Sequence, residues 1–344
     1  MANLETRYMG LTLKNPLIAG SSGLINSVEN IKKLEENQAG AIVLKSIFEE
    51  QIRHEANVYM NSGSSSLSAM NKGFDNIMKT RSYDYAEAMD YITDFAKEHT
   101  LNEYLKLISD AKKAVKIPII ASVNCVFTYD WYSFAKRIQD AGADAIELNI
   151  YVLPSDPAKT GAENEEVYLN VINAIKQYVS ISVSIKISYY FSGLTNKLIE
   201  LSKSGIAGMV LFNRPYTPDI NIDTFEITPG NIYSSSHEYA HTLRWIAILA
   251  GRVGCDISAA TGVHDHESVI KMLLAGANTV QVASVLYKQG FEHIGQMISG
   301  LETWMDKHNF KTIDDFRGKM SQVNLKNPAD YERVQFMKLY SHIY

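Results

Sequence analysis

The sequence predicts an α/β protein, a (β/α)8 TIM barrel, on two observations. It contains eight short apolar runs rich in β-branched residues, and an amphipathic stretch follows nearly every one of them. The runs fall at residues 16–21, 41–47, 118–124, 145–150, 181–188, 208–213, 256–262 and 279–286. Most are apolar on both sides of the alternation, as buried parallel strands are. The helical stretches are 28–37, 101–114, 131–141, 164–178, 195–204, 237–253 and 264–275. Gly40, Gly142, Gly205 and Gly276 stand where C-caps belong. The segment from Gly290 to about His308 supplies an eighth helix, with a shorter segment behind it. A doubly wound sheet is the competing architecture, but no GxGxxG follows the first run.

Residues 1–344 then read as one barrel domain with insertions at about 48–100 and 214–238, both too long for plain loops. The first holds the Ser/Gly-rich 61–66 and the aromatic, acidic 83–91. The second alternates over 219–228 as a hairpin does, with a turn expected at Pro229-Gly230-Asn231. Each follows a strand, which places both on the C-terminal face, where barrels keep their chemistry.

Charge is nearly balanced, 33 Lys+Arg against 38 Asp+Glu for a net of -5, with no basic run to track a phosphate backbone; nucleic acid is not the expected partner. Cys125 and Cys255 lie far apart without CxxC spacing, which predicts neither a disulfide framework nor a metal site and fits a reducing compartment. No run of about 18 apolar residues occurs and no export signal opens the chain, so the expected location is cytoplasmic, without a membrane partner.

Polar residues that end apolar strands point into a barrel's mouth, and this chain has several. Lys45 and Lys186 stand at or near the ends of the second and fifth runs. A buried lysine without a partner is costly, so each is expected to meet an anion or an electron-rich ligand. A salt bridge to a neighbouring acid such as Glu147 is the structural alternative. Asn124, Asn149 and Asn213 close three further runs, and an amide offers both donor and acceptor to the edge of a heterocycle. Thr261, Gly262, Ala283 and Ser284 end the last two runs, where small residues let backbone N–H groups approach a phosphate.

These residues carry a resemblance. Asn15-Pro16 leading to Ala19-Gly20-Ser21-Ser22, Lys45-Ser46, Glu147-Leu148-Asn149, Lys186, Asn213, and Ala275-Gly276-Ala277 through Val282-Ala283-Ser284 together resemble the dihydroorotate dehydrogenases, best the soluble class 1 enzymes. Residues 311–319 resemble their ending, and the likeness covers nearly the whole chain. It implies oxidation of dihydroorotate to orotate in pyrimidine biosynthesis, with hydride passing to FMN, a soluble electron acceptor and a homodimer. It further implies flavin contacts by Gly20, Ser21, Lys45, Ser46, Asn124, Asn149 and Lys186, substrate or flavin contacts by Lys45, Asn149 and Asn213, and phosphate contacts by Thr261, Gly262, Ala283 and Ser284.

The chain departs from the family where the base should be. Members carry Cys, or Ser in the membrane class, in an Asn-Leu-Ser-Cys-Pro-Asn type segment, whereas this chain reads Asn149-Ile150-Tyr151-Val152-Leu153-Pro154-Ser155-Asp156. Val152 takes the cysteine's place and cannot accept a proton. Cys125, Tyr129, Tyr151, Ser155 and Asp156 are the alternatives the sequence leaves open, while His54 and His237 sit in the insertions. The usual Gly-Gly loop after the sixth strand is also replaced, by Pro229-Gly230-Asn231 and Ser234-Ser235-Ser236. Three other functions stay open: a paralogous FMN oxidoreductase on another small substrate, a non-catalytic flavin-binding protein, and an aldolase-like barrel with Lys45 or Lys186 as the Schiff-base lysine.

Overall fold

The computed structural model describes residues 2–47, 84–124 and 131–332. Within them the chain runs β1 (Thr6–Tyr8), β2 (Leu11–Leu13), β3 (Leu17–Ala19), α1 (Val28–Glu36), β4 (Ala41–Val43), α2 (Asp84–Ala114), β5 (Ile119–Asn124), α3 (Trp131–Asp140), β6 (Ala145–Ile150), α4 (Gly161–Lys176), β7 (Ser182–Ile187), α5 (Leu194–Ser202) and β8 (Gly208–Leu211). There follow β9 (Pro218–Asn221), β10 (Glu226–Pro229), α6 (Tyr239–Leu249), β11 (Asp256–Ala259), α7 (His266–Ala275), β12 (Thr279–Val282), α8 (Ser284–Gln289) and α9 (His293–Lys307).

Strands β3 to β8, β11 and β12 are parallel and close on themselves, β12 pairing with β3, so the predicted eight-stranded barrel is present. The period-2 alternation of each strand sorts side chains between two environments. Leu17, Ile42, Ile119, Ile146, Leu148, Val183 and Ile185 face the layer of helices and join the large apolar core. Ser122, Glu147, Ser184, Lys186, Ser258, Thr279 and Gln281 occupy alternate positions and are buried. The barrel's middle is therefore polar.

Its floor is not. Tyr8, Met9 and Leu13, from the β1–β2 hairpin, pack with Ile18, Ala41, Val43, Ile120 and Ala145 at the N-terminal ends of the strands. Burying each large side chain here contributes about 1.5–3 kcal/mol. Gly208 leaves room for this plug, since a Cβ there would lie 3.0 Å from the Tyr8 ring. The hairpin is an addition to the predicted elements; strands of three residues are too short for an alternation to register.

Four expectations are corrected. Helix α2 begins at Asp84, so the last third of the expected 48–100 insertion belongs to the barrel's second helix, and residues 48–83, with His54, lie outside those described. The run 279–286 is a strand only to Val282, after which α8 starts at Ser284. The second insertion does form an antiparallel hairpin, β9 with β10, but its turn is at 222–225. There the Asn221 side chain accepts from the backbone of Asp223 and Thr224, and Phe225 adopts φ +56°, while Gly230 N–H donates to Thr217 O at the base of the hairpin. Gly40 is not a C-cap: Gln38 takes the left-handed conformation after α1, and Gly40 is needed for space, a Cβ there falling 2.3 Å from the Asn15 carbonyl oxygen.

Candidate active site

At the C-terminal mouth the strand register brings polar residues side by side. Asn124 of β5 lies opposite Asn149 of β6, and Asn149 lies opposite Lys186 of β7. Asn213, two residues past β8, is fixed by its backbone N–H to Ile187 O at 2.7 Å and by Asn213 Nδ2 donating to Asn149 Oδ1 at 2.9 Å. The carboxamide Oδ1 of Asn124 is buried with no hydrogen-bond partner among the described residues.

A cavity opens beside them. Gly20, Ser21, Lys186 and Asn213 line it, and so do Thr261, Gly262, Ala283 and Ser284. Thr261 and Gly262, both with positive φ, 77° and 78°, bring the backbone itself to the cavity wall. Gly262 is packed so closely against the start of α6 that a Cβ would lie 2.1 Å from Tyr239 N. Helix α6 has no side-chain cap, and this packing sets its positive end beside the cavity-lining Gly262.

Sequence reasoning missed part of this wall. Arg214 lines the cavity, its Nε donating to Glu238 Oε2 at 2.9 Å and its Nη1 to the carbonyls of Asn231 and Ile232. Although burial opposes it, the Arg214 guanidinium and the Ser235 N–H hold the Glu238 carboxyl below its ordinary range. Ser234 comes from the serine run that replaces the Gly-Gly loop, and it too lines the cavity. Its N–H donates to Ser284 Oγ, its carbonyl accepts from Lys288 Nζ, and its hydroxyl meets His264 Nε2 at 3.0 Å. Gln281 is the third omission, though its inward position two residues after Thr279 was open to the same alternation argument.

The other expected contacts stand apart from the cavity lining. Lys45 is half-buried, its backbone N–H donating to Ile25 O. Ser46 is buried in a hydroxyl chain, 3.0 Å from Ser21 Oγ and 2.7 Å from Ser122 Oγ, which ties β3, β4 and β5 together. Asn149 reaches the cavity through Asn213. For Lys186 both readings hold, since it lines the cavity and lies 3.7 Å from Glu147.

At the position expected for a base, Val152 is half-buried against the apolar core, and every residue from Leu153 to Glu163 is exposed, Ser155 and Asp156 included. Burial, and then Tyr190, push the Tyr151 phenol up, which leaves it a proton donor at neutral pH. His237 is exposed, and Cys125 and Tyr129 lie outside the described residues. A second cavity shares Phe212, Asn213, Arg214 and Thr261 with the first and is otherwise lined by Tyr189, His241 and Thr242 among others. No described helix is long and apolar enough to cross a membrane.

Comparison with known proteins gives the family. The family model described as dihydroorotate dehydrogenase matches residues 3–305. A relative from Thermoplasma acidophilum, named dihydroorotate dehydrogenase B (NAD(+)), catalytic subunit, is 27% identical over 92% of this chain and 99% of its own length. One of the same name from Methanothermobacter thermautotrophicus is 24% identical over 92% and 97%. The Arabidopsis thaliana protein named dihydropyrimidine dehydrogenase (NADP(+)), chloroplastic, is 22% identical over 93% of this chain and 77% of its own. The chain is an oxidoreductase and belongs to the dihydroorotate dehydrogenase family.

Proposed function

We propose that this chain is an FMN-dependent oxidoreductase that oxidises dihydroorotate to orotate in pyrimidine biosynthesis. The observation that carries the reading is the cavity at the barrel mouth, where Gly20, Ser21, Lys186 and Asn213 meet Thr261, Gly262, Ala283 and Ser284. The donor set fits the cofactor at both ends: backbone N–H groups at Thr261–Gly262 and the start of α6 suit a phosphate, and a lysine and an amide suit an electron-rich ring edge. FMN, when bound, would accept the hydride that the substrate loses.

The chain's own residues would supply binding and electrostatics. Lys186 places a cation where negative charge would build on reduction, which lowers the cost of that charge. Asn213 spends one N–H on Asn149, and the remaining amide groups of the pair can orient a planar substrate. Lys45 and Asn124 complete the polar mouth, with Ser46 supporting it through Ser21. Electrons would leave to a soluble acceptor, for which NAD(+) is the first to try, given the names of the relatives. The protein would work in the cytoplasm as a homodimer.

The test is a visible spectrum of the purified protein followed by anaerobic dihydroorotate. Yellow protein that bleaches supports the reading; protein that cannot take up FMN defeats it. Val152 favours a second reading, oxidation of a different small substrate, because the family's base is missing from its place. Yellow protein that stays oxidised with dihydroorotate but bleaches with another cyclic substrate would select it.

A further inference from the structure

Glu147, Gln281 and Lys186 form a buried chain inside the barrel, drawn from β6, β12 and β7. Gln281 Nε2 donates to Glu147 Oε2 at 2.6 Å, and Lys186 Nζ donates to Gln281 Oε1 at 3.0 Å. The three residues are 1%, 3% and 9% exposed. Even so, the ammonium stays 3.7 Å from Glu147 Oε1, and that oxygen has no hydrogen-bond partner among the described residues. An ammonium and a carboxylate with nothing between them close to about 2.7–2.9 Å. Here an amide stands between them, accepting from one and donating to the other. Gly20 gives the amide its space, since a Cβ there would lie 3.3 Å from both Gln281 Cβ and Oε1. Lys186 and Gln281 line the cavity, and Glu147 lies behind them.

We propose that Glu147 and Gln281 are positioning residues, Gln281 a spacer that keeps the Lys186 ammonium turned to the cavity and Glu147 the counter-charge that moderates it. The inference rests on the flavin reading above, because the charge they set is the one a bound flavin meets. Removing the counter-charge leaves the cavity more positive and favours the reduced, more negative flavin. Removing the spacer lets the ammonium close on the carboxylate and withdraw from the cavity, which favours the oxidised form.

The two variants therefore move the flavin in opposite directions. In E147Q the ratio of reduced to oxidised flavin at a fixed potential rises about tenfold, a positive shift of about 30 mV for a two-electron couple. In Q281A, which removes the spacer and alters no charge, it falls. Both are read by dye-equilibrated redox titration of the FMN-loaded protein, with a thermal melt of each variant. Loss of a merely structural contact lowers the melting temperature or flavin content without opposite signs, so shifts of the same sign, or none, overturn the inference. Should E147Q fail to fold, Q281A decides alone, and a potential that does not fall overturns it. Wild-type protein that takes up no FMN removes the flavin reading and this inference together; wild-type protein that binds FMN while the variants keep its potential removes only the inference.

Discussion

Gly262 meets two demands that no other residue satisfies together, a φ of +78° and a backbone neighbour 2.1 Å from where a Cβ would be. G262A should therefore displace the start of α6, costing roughly 1–3 kcal/mol from backbone strain alone, and empty the phosphate end of the cavity. A thermal melt and the flavin content of the purified variant check this; a variant with wild-type values for both contradicts it. His264 makes a prediction of the opposite kind, one of pH. Burial, and then the nearby Lys288, push its imidazole below its ordinary 6.5, so the fold binds the proton less readily than the unfolded chain does. The advantage of the neutral buried ring is complete above about pH 6.5 and is lost as the pH falls through the lowered folded value. The melting temperature should drop between pH 7 and 5, and H264Q should flatten that slope; an equal slope in the variant would refute the assignment. Cys255 illustrates inertness: burial first and Asp256 second push its thiol up to about 12, so native protein should resist iodoacetamide at that residue, as peptide mass spectrometry would read. The same scale shows what sequence could disclose. Lys186, Asn149 and Asn213 were legible because strand alternation points an end residue inward. Arg214 and Ser234 were not, because their place depends on how a loop folds back through Glu238, Lys288 and His264.

Among the elements, the N-terminal hairpin makes the sharpest test of packing. The Tyr8 ring fills the barrel floor, but its hydroxyl is buried with no hydrogen-bond partner among the described residues, and burial pushes its phenol well above 10. Y8F should therefore be neutral or stabilising, since it removes an unsatisfied group, whereas Y8A should cost about 3–5 kcal/mol through the void it leaves. Denaturant melts of the two variants separate the terms; a loss in Y8F comparable to that in Y8A would mean the hydroxyl, not the ring, matters. Long elements were legible and short ones were not. The six-residue β5, β6 and β7 announce themselves by composition, while β1 and β2 depend for their existence on a surface built by residues up to 145. Helix α2 shows the reverse limit, for its first turns share no periodic apolar face with the stretch after Leu101 and so read as insertion.

For the molecule as a whole, the β9–β10 hairpin is the exposed feature to explain. Ile220 pairs with Ile227 across the two strands, and with Ile222 and Phe225 near the turn these four apolar side chains are 64–88% exposed. A homodimer would bury such a face, and I222D/F225D should then yield a monomer of unchanged melting temperature, as light scattering and a thermal scan would show; dimers that persist in the variant would place the interface elsewhere. The barrel class was readable because eight repeats of one strand–helix pattern leave few alternatives, whereas closure depends on contacts between distant parts of the chain. Asn3 bridges to Thr312, its N–H donating to Lys311 O at 2.7 Å, and Arg317 reaches back to Thr6. Residues 3 and 6 are thus anchored by residues more than 300 positions later in the chain. At about 5–20 residues per second, the floor of the barrel waits roughly 10–40 s on the ribosome between Tyr8 and Ala207, the last residue packed against it. Through that interval its apolar side chains are without their final cover, which makes the nascent chain a natural client for the holding factors that meet growing polypeptides.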